Sequence, residues 1–183
     1  MTTTAERVQR PDYAVTVPRW AFWVAHAVPL CVLPSGLWRL AMSVGIPVGF
    51  SDAVLRADYD LPGWGALYTI GLAVILEGLA LLTLGLVYPW GEVVPRWMPL
   101  IGGRPVHRMA AVIPASIGAA LITWISFSQL FLWGTVDATD LPLMGLTYAP
   151  VLAWGPLLAV ATAAYFIRRG RGSPPLAEPM ERP

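Results

Sequence analysis

Residues 63–91 read GWGALYTIGLAVILEGLALLTLGLVYPWG and contain one charged side chain, Glu77, near the middle. Roughly 20 largely apolar residues in an α-helix cross a bilayer core of about 30 Å. Hydrocarbon solvates no bare N–H or C=O, so a spanning segment is either a helix or a strand of a closed barrel. Barrel strands alternate apolar and polar residues in segments of about 10. The run Ile70-Gly71-Leu72-Ala73-Val74-Ile75-Leu76 does not alternate, so the stretch reads as a membrane-spanning helix.

Three further stretches meet the same criterion. Trp20–Trp38 is uncharged and continues past Arg39 to about Ile46, and Met109–Val136 and Leu141–Ile167 carry no charge. The whole chain is 56% apolar and 13% charged, where soluble domains run near a quarter charged. The expected fold is therefore all-α, an integral membrane four-helix bundle. Its spans fall at about 20–46, 63–88, 109–134 and 144–167, within a transmembrane domain over 19–168. An N-terminal tail (1–18) precedes it and a Pro- and charge-rich disordered tail (169–183) follows. The first span reads as an uncleaved anchor, because its apolar run is too long for a signal peptide and Glu6 and Asp12 stand before it.

Charge sets the expected orientation. All 12 basic residues are Arg. Four spans put the N-terminal tail, the loop between spans two and three and the C-terminal tail on one side, with ten Arg among them. The opposite loops hold Arg56, with Arg39 at the lip, beside Asp52, Asp58, Asp60, Asp137 and Asp140. The positive-inside rule then places both termini in the cytoplasm. Trp20, Trp23, Trp90 and Trp97 on that side, and Trp38, Trp64 and Trp133 on the other, fit an interfacial aromatic belt. A net charge of +1 gives no sign of a nucleic-acid partner. The lone Cys31 excludes an intrachain disulfide and a thiolate cluster. No metal site and no cofactor is expected, and the anticipated partners are the lipid bilayer, a hydrophobic small molecule or other membrane helices.

Among residues able to carry chemistry, Glu77 comes first, because an ionisable group at mid-bilayer is costly and marks a functional site by default. It suits proton coupling, cation binding or acid–base work on a lipidic substrate, against a plainer role as hydrogen-bonded glue between helices. Ser35, Ser116, Thr123 and the indole of Trp154 lie at similar depth. Arg39 is expected to snorkel outward or pair with an outer Asp; a bend of about 10 Å along the axis would instead be needed to reach Glu77. His26 and His107 lie toward the Arg-rich face. Facing histidines can ligate a haem axially, but hydrogen-bonded packing is the simpler role for His26. Arg96, Arg104, His107 and Arg108, around Gly102-Gly103 in a Pro-rich loop, are candidates for an anion or headgroup nest. Gly71, Gly78 and Gly85 recur every seven residues and predict a groove where a second helix packs. Pro29, Pro34, Pro114, Pro150 and Pro156 predict kinks in the other spans.

The segments Leu33-Pro34-Ser35-Gly36-Leu37-Trp38-Arg39 and Pro89-Trp90-Gly91-Glu92-Val93-Val94-Pro95-Arg96-Trp97, with the all-Arg usage, resemble a group of four-span membrane proteins of high-GC actinobacteria. That resemblance implies membrane class alone. His26-Ala27-Val28-Pro29, Glu77, Tyr148-Ala149-Pro150 and Pro156 resemble, in order, the pattern of the emopamil-binding-protein and sigma-2-receptor superfamily. This second likeness implies Glu77 as a cation-stabilising carboxylate in a pocket for a sterol-like amphiphile, although span one offers Arg39 where a carboxylate would stand. The function expected from the residues is a non-catalytic accessory subunit or a binder of a small hydrophobic or amphiphilic ligand, with Glu77 as its buried polar site. The alternatives are a membrane-embedded, isomerase-like enzyme on a lipid or isoprenoid, and a proton-coupled transporter acting as a dimer.

Overall fold

The computed structural model describes residues 17–61, 63–94, 102–133 and 142–171. The long helices are α1 (Arg19–Ser43), α3 (Trp64–Leu82), α4 (Arg108–Trp133) and α6 (Trp154–Arg171), with short helices α2 (Asp52–Ala57) and α5 (Pro142–Tyr148) before α3 and α6. Counting the 3-10 turns that extend α3 to Leu86 and join α5 to α6, four helices are long and apolar enough to cross a membrane. Their outer faces carry Leu30, Leu37, Val74, Ile75, Leu121, Trp124, Ile125, Val160 and Ile167, all exposed. An apolar exterior on every long helix is incompatible with water and suits lipid. This is the build of a multi-pass membrane protein.

In lipid the hydrophobic effect does not hold helices together, and close packing of small residues takes over. Ala21, Ala25 and Gly36 of α1, Ala73 and Ala80 of α3, Ala119 of α4, and Gly155 and Ala161 of α6 are buried accordingly. α1 packs most extensively on α3, α4 on α6, and α1 on α6, whereas α3 and α4 scarcely touch. At Gly155 the backbones come so close that a Cβ would overlap the Thr123 hydroxyl and stand 2.8 Å from the Thr123 nitrogen. The core gathers Val28, Val32, Leu86, Trp154, Leu158 and Tyr165. The seven-residue glycine pattern does not act as expected within the chain: a Cβ at Gly71 or Gly78 would meet nothing within 4 Å, and Gly85 lies against the Trp90 ring.

Two loops close the ends. Beyond the C-terminal end of α1, the segment holding α2 folds back so that Leu55 and Leu61 pack with Trp38 and Met42 in a second core. The Trp38 indole donates to the Val48 carbonyl at 3.1 Å. Trp38 is therefore buried, not an interfacial belt residue, whereas Trp20, Trp23, Trp64 and Trp90 are exposed as a belt requires. At the other end, Val93 and Pro105 bridge antiparallel, and α6 fastens this loop. Arg168 donates to Glu92 and to the Leu86 carbonyl, Tyr165 to the Gly91 carbonyl, and Arg169 to the Val106 carbonyl.

The fourth span is not one continuous α-helix. Pro150 and Pro156 each lack the N–H that would bond four residues back, and Ala149–Ala153 winds as a 3-10 helix. By contrast α1 stays α-helical through Pro29 and Pro34, and α4 through Pro114.

Candidate functional site

The poor fit between α3 and α4 leaves a cavity of about 710 Å³, walled by α1, α3, α4 and the α5–α6 segment. Leu76, Ile122 and Trp154 line its deep end; Gly65, Asp58, Tyr59 and Gln129 line it toward the loop after α1. From Leu76 to Gly65 this wall runs about 16 Å along α3 at 1.5 Å per residue. The lining is mostly apolar and aromatic, with a few polar groups: Arg39, Asp58, Thr69, Ser126 and Gln129. That size and make-up match small-molecule sites in general, which run roughly 300–1,000 Å³ with few oriented polar groups.

Arg39 is the basic residue in this lining. It lies four residues from the end of α1 and is 9% exposed. Its side chain turns back into the bundle, with one terminal nitrogen donating to the carbonyl and the hydroxyl of Ser35, both at 3.3 Å. The Ser35 hydroxyl in turn donates to Val32 at 2.8 Å. The guanidinium carbon stands 5.0 Å from the centroid of the Tyr148 ring, a cation–π arrangement. Among the described residues no carboxylate pairs with it. The expected snorkelling toward headgroups, the pairing with Asp52, Asp58 or Asp60 and the reach toward Glu77 are thus replaced by an inward-facing cation at a cavity wall; Asp137 and Asp140 lie outside the described residues.

Glu77 lies beside this cavity, not in its lining. Its side chain faces the α1–α3 seam, where Oε2 stands 4.0 Å from the point a Cβ on Gly36 would occupy. Oε2 is buried without a hydrogen-bond partner. The side chains at similar depth are otherwise disposed: the Thr123 hydroxyl donates to Ala119 in its own helix, and Ser35 serves Val32 and Arg39. Ser116 is exposed on α4. Trp154, 3% exposed and lining the cavity, has an indole N–H with no acceptor. Such a buried donor costs about 1–3 kcal/mol when left unmade.

His26 is a packing residue. Nδ1 donates to the Phe22 carbonyl at 2.8 Å, which leaves Nε2 to accept from the Tyr88 hydroxyl at 3.3 Å. Both ring nitrogens are thus engaged. His107 is exposed and its Nδ1 accepts from the Met109 amide at the start of α4. Arg104 is exposed, and Arg108 lies 5.2 Å from the Phe166 ring centroid. Arg96 lies outside the described residues. Among the described residues no three His, Cys, Asp or Glu side chains gather as a metal site would require. A shallower apolar groove of about 760 Å³ runs along α4 and α6 past Ser116, Trp124 and Phe166. The hydroxyls of Thr123 and Thr162 in it bond their own helices, and Ser116 adds one exposed hydroxyl.

Sequence reasoning named Arg39 and Trp154, which share the cavity, and quoted Tyr148 only within a family pattern, but missed Thr69, Ser126 and Gln129. The available signal was positional: Arg39, Thr69, and Ser126 with Gln129 fall one or two turns from the same end of their spans. No family model, no curated protein and no solved structure matches the chain.

Proposed function

We propose that this chain is a non-catalytic multi-pass protein of the cell membrane, with both termini cytoplasmic, that binds a small hydrophobic or amphiphilic molecule between its helices. The observation that carries this reading is the cavity of about 710 Å³ between α3 and α4, apolar along most of its wall and faced by Arg39. Orientation rests on the placement of ten Arg in the two tails and the loop between spans two and three. A binder is favoured over a lipid-modifying enzyme because the Glu77 carboxylate oxygen Oε2 meets no second polar group with which to share acid–base work.

The test is cavity occupancy. Purified protein in neutral maltoside micelles is titrated with a fluorescent apolar probe, beside Leu72→Trp and Ile122→Trp, which fill the cavity from opposite walls. Saturable one-to-one binding in the parent chain, lost in both filled variants, is the expected result. Equal binding by parent and filled variants would remove the cavity as a site.

A further inference from the structure

We propose that the ligand is an anionic amphiphile, a carboxylate or phosphate head on a single apolar chain, whose head is held by Arg39 and whose chain runs toward Trp154. The inference rests on the cavity-binding reading and names the ligand class for that same site. Two independent features point to it. The first is a cation 9% exposed at the cavity wall, with Ser35 and the Tyr148 ring around it and no carboxylate paired with it among the described residues. A buried charge without a counter-charge is strongly unfavourable, and a guanidinium fork has five donors suited to planar anions. The second is the apolar wall of Met42, Leu72, Leu76 and Ile122, which runs from Arg39 to the Trp154 ring at the deep end and suits a single apolar chain.

The one carboxylate of the lining, Asp58, is exposed and lies toward the loop end, where water screens it from Arg39. An anionic head reaches a positive end-point at Arg39; inorganic anions share that end-point but gain none of the apolar wall.

The experiment is native mass spectrometry of the full chain released from neutral maltoside micelles. Dodecanoate, dodecyl phosphate, dodecanol and inorganic phosphate are offered at equal concentration. The two anionic amphiphiles are expected to give one-to-one adducts at least tenfold more abundant than dodecanol or inorganic phosphate. Arg39→Gln is expected to bring dodecanoate down to the dodecanol level, with Arg39→Lys intermediate. The comparison of head groups on the parent chain needs no variant, so it decides the matter even if Arg39→Gln fails to fold. Dodecanol binding as well as dodecanoate overturns the anionic class while the cavity reading stands. Inorganic phosphate binding as tightly as dodecyl phosphate overturns the amphiphile and leaves a free-anion site. Adducts of all four that persist in Leu72→Trp, or none at all, overturn both readings together.

Discussion

Arg168 of α6 donates to Glu92 at 2.8 Å and to the Leu86 carbonyl at 2.9 Å, so one side chain clasps both sides of the turn that follows α3. The cation is 7% exposed and the carboxylate 27%, so the pair is shielded on one side only. Arg168→Ala is expected to cost on the order of 2 kcal/mol, since hydrogen bonds to charged groups run about 1.5–3 and solvent access to Glu92 trims that. Glu92→Gln keeps an acceptor and should lose about half as much. The fraction of monodisperse protein surviving a thermal ramp in maltoside measures both, and equal survival of parent and Arg168→Ala would show the clasp to be inert.

Gly155 and Gly78 make a matched pair of opposites. At Gly155 a side chain runs into Thr123 and Ala119, and at Gly78 it meets nothing. Gly155→Val should separate α4 from α6 and cost more than about 3 kcal/mol, in the range of severe overpacking. Gly78→Val should stay within about 0.5 kcal/mol of the parent. Membrane yield and thermal survival compare them directly, and a severe defect from Gly78→Val would mean that face is covered by another helix.

Glu77→Gln should leave fold and yield intact. The buried Oε2 makes no hydrogen bond, so the amide removes a potential charge without breaking a bond, and stability should stay within about 0.5 kcal/mol or rise. A clear loss of survival in the same thermal ramp would show that the carboxylate is glue.

Topology gives the fourth expectation. On a Cys31→Ala background, Arg104→Cys should react with an impermeant maleimide only after the cells are broken, and Ala53→Cys should react in intact cells. Both positions are exposed. The reverse pattern would invert the proposed orientation.

What the sequence made legible follows the range over which each property is set. The four spans depend on local hydropathy, and their ends fall within a few residues of the helices, Arg19–Ser43 for the first and Arg108–Trp133 for the third. Arg39 and Trp154 stood out because polarity inside an apolar run is visible residue by residue. The direction of the Arg39 side chain depends on Tyr148, more than 100 residues away in the chain, and the cavity depends on α3 and α4 failing to meet. Neither is encoded in any one stretch. The burial of Trp38 escaped for the same reason: its cover comes from Leu55 and Leu61 in the following loop. The α2 helix was missed although Ser51 caps it by accepting from the Val54 amide, a signal too short to compete with hydropathy. Arg168 and Arg169 read as sorting charges, yet both reach back to the loop between spans two and three.

The five-residue 3-10 segment Ala149–Ala153 changes the winding of the fourth span as well as its hydrogen bonding. In an α-helix, residues six apart stand about 120° away from alignment; in a 3-10 helix, every third side chain eclipses. Tyr148, Val151 and Trp154 are spaced by three, and all three line the cavity. The tighter winding thus stacks a phenol, a branched aliphatic and an indole into a single column along one wall. Rewinding this stretch as α-helix, as Pro150→Ala favours, would rotate Tyr148 by roughly 120° relative to Trp154. Arg39 would then lose its aromatic neighbour with no change at either residue. Two prolines in the fourth span therefore act on the charge of the first through angular phase alone.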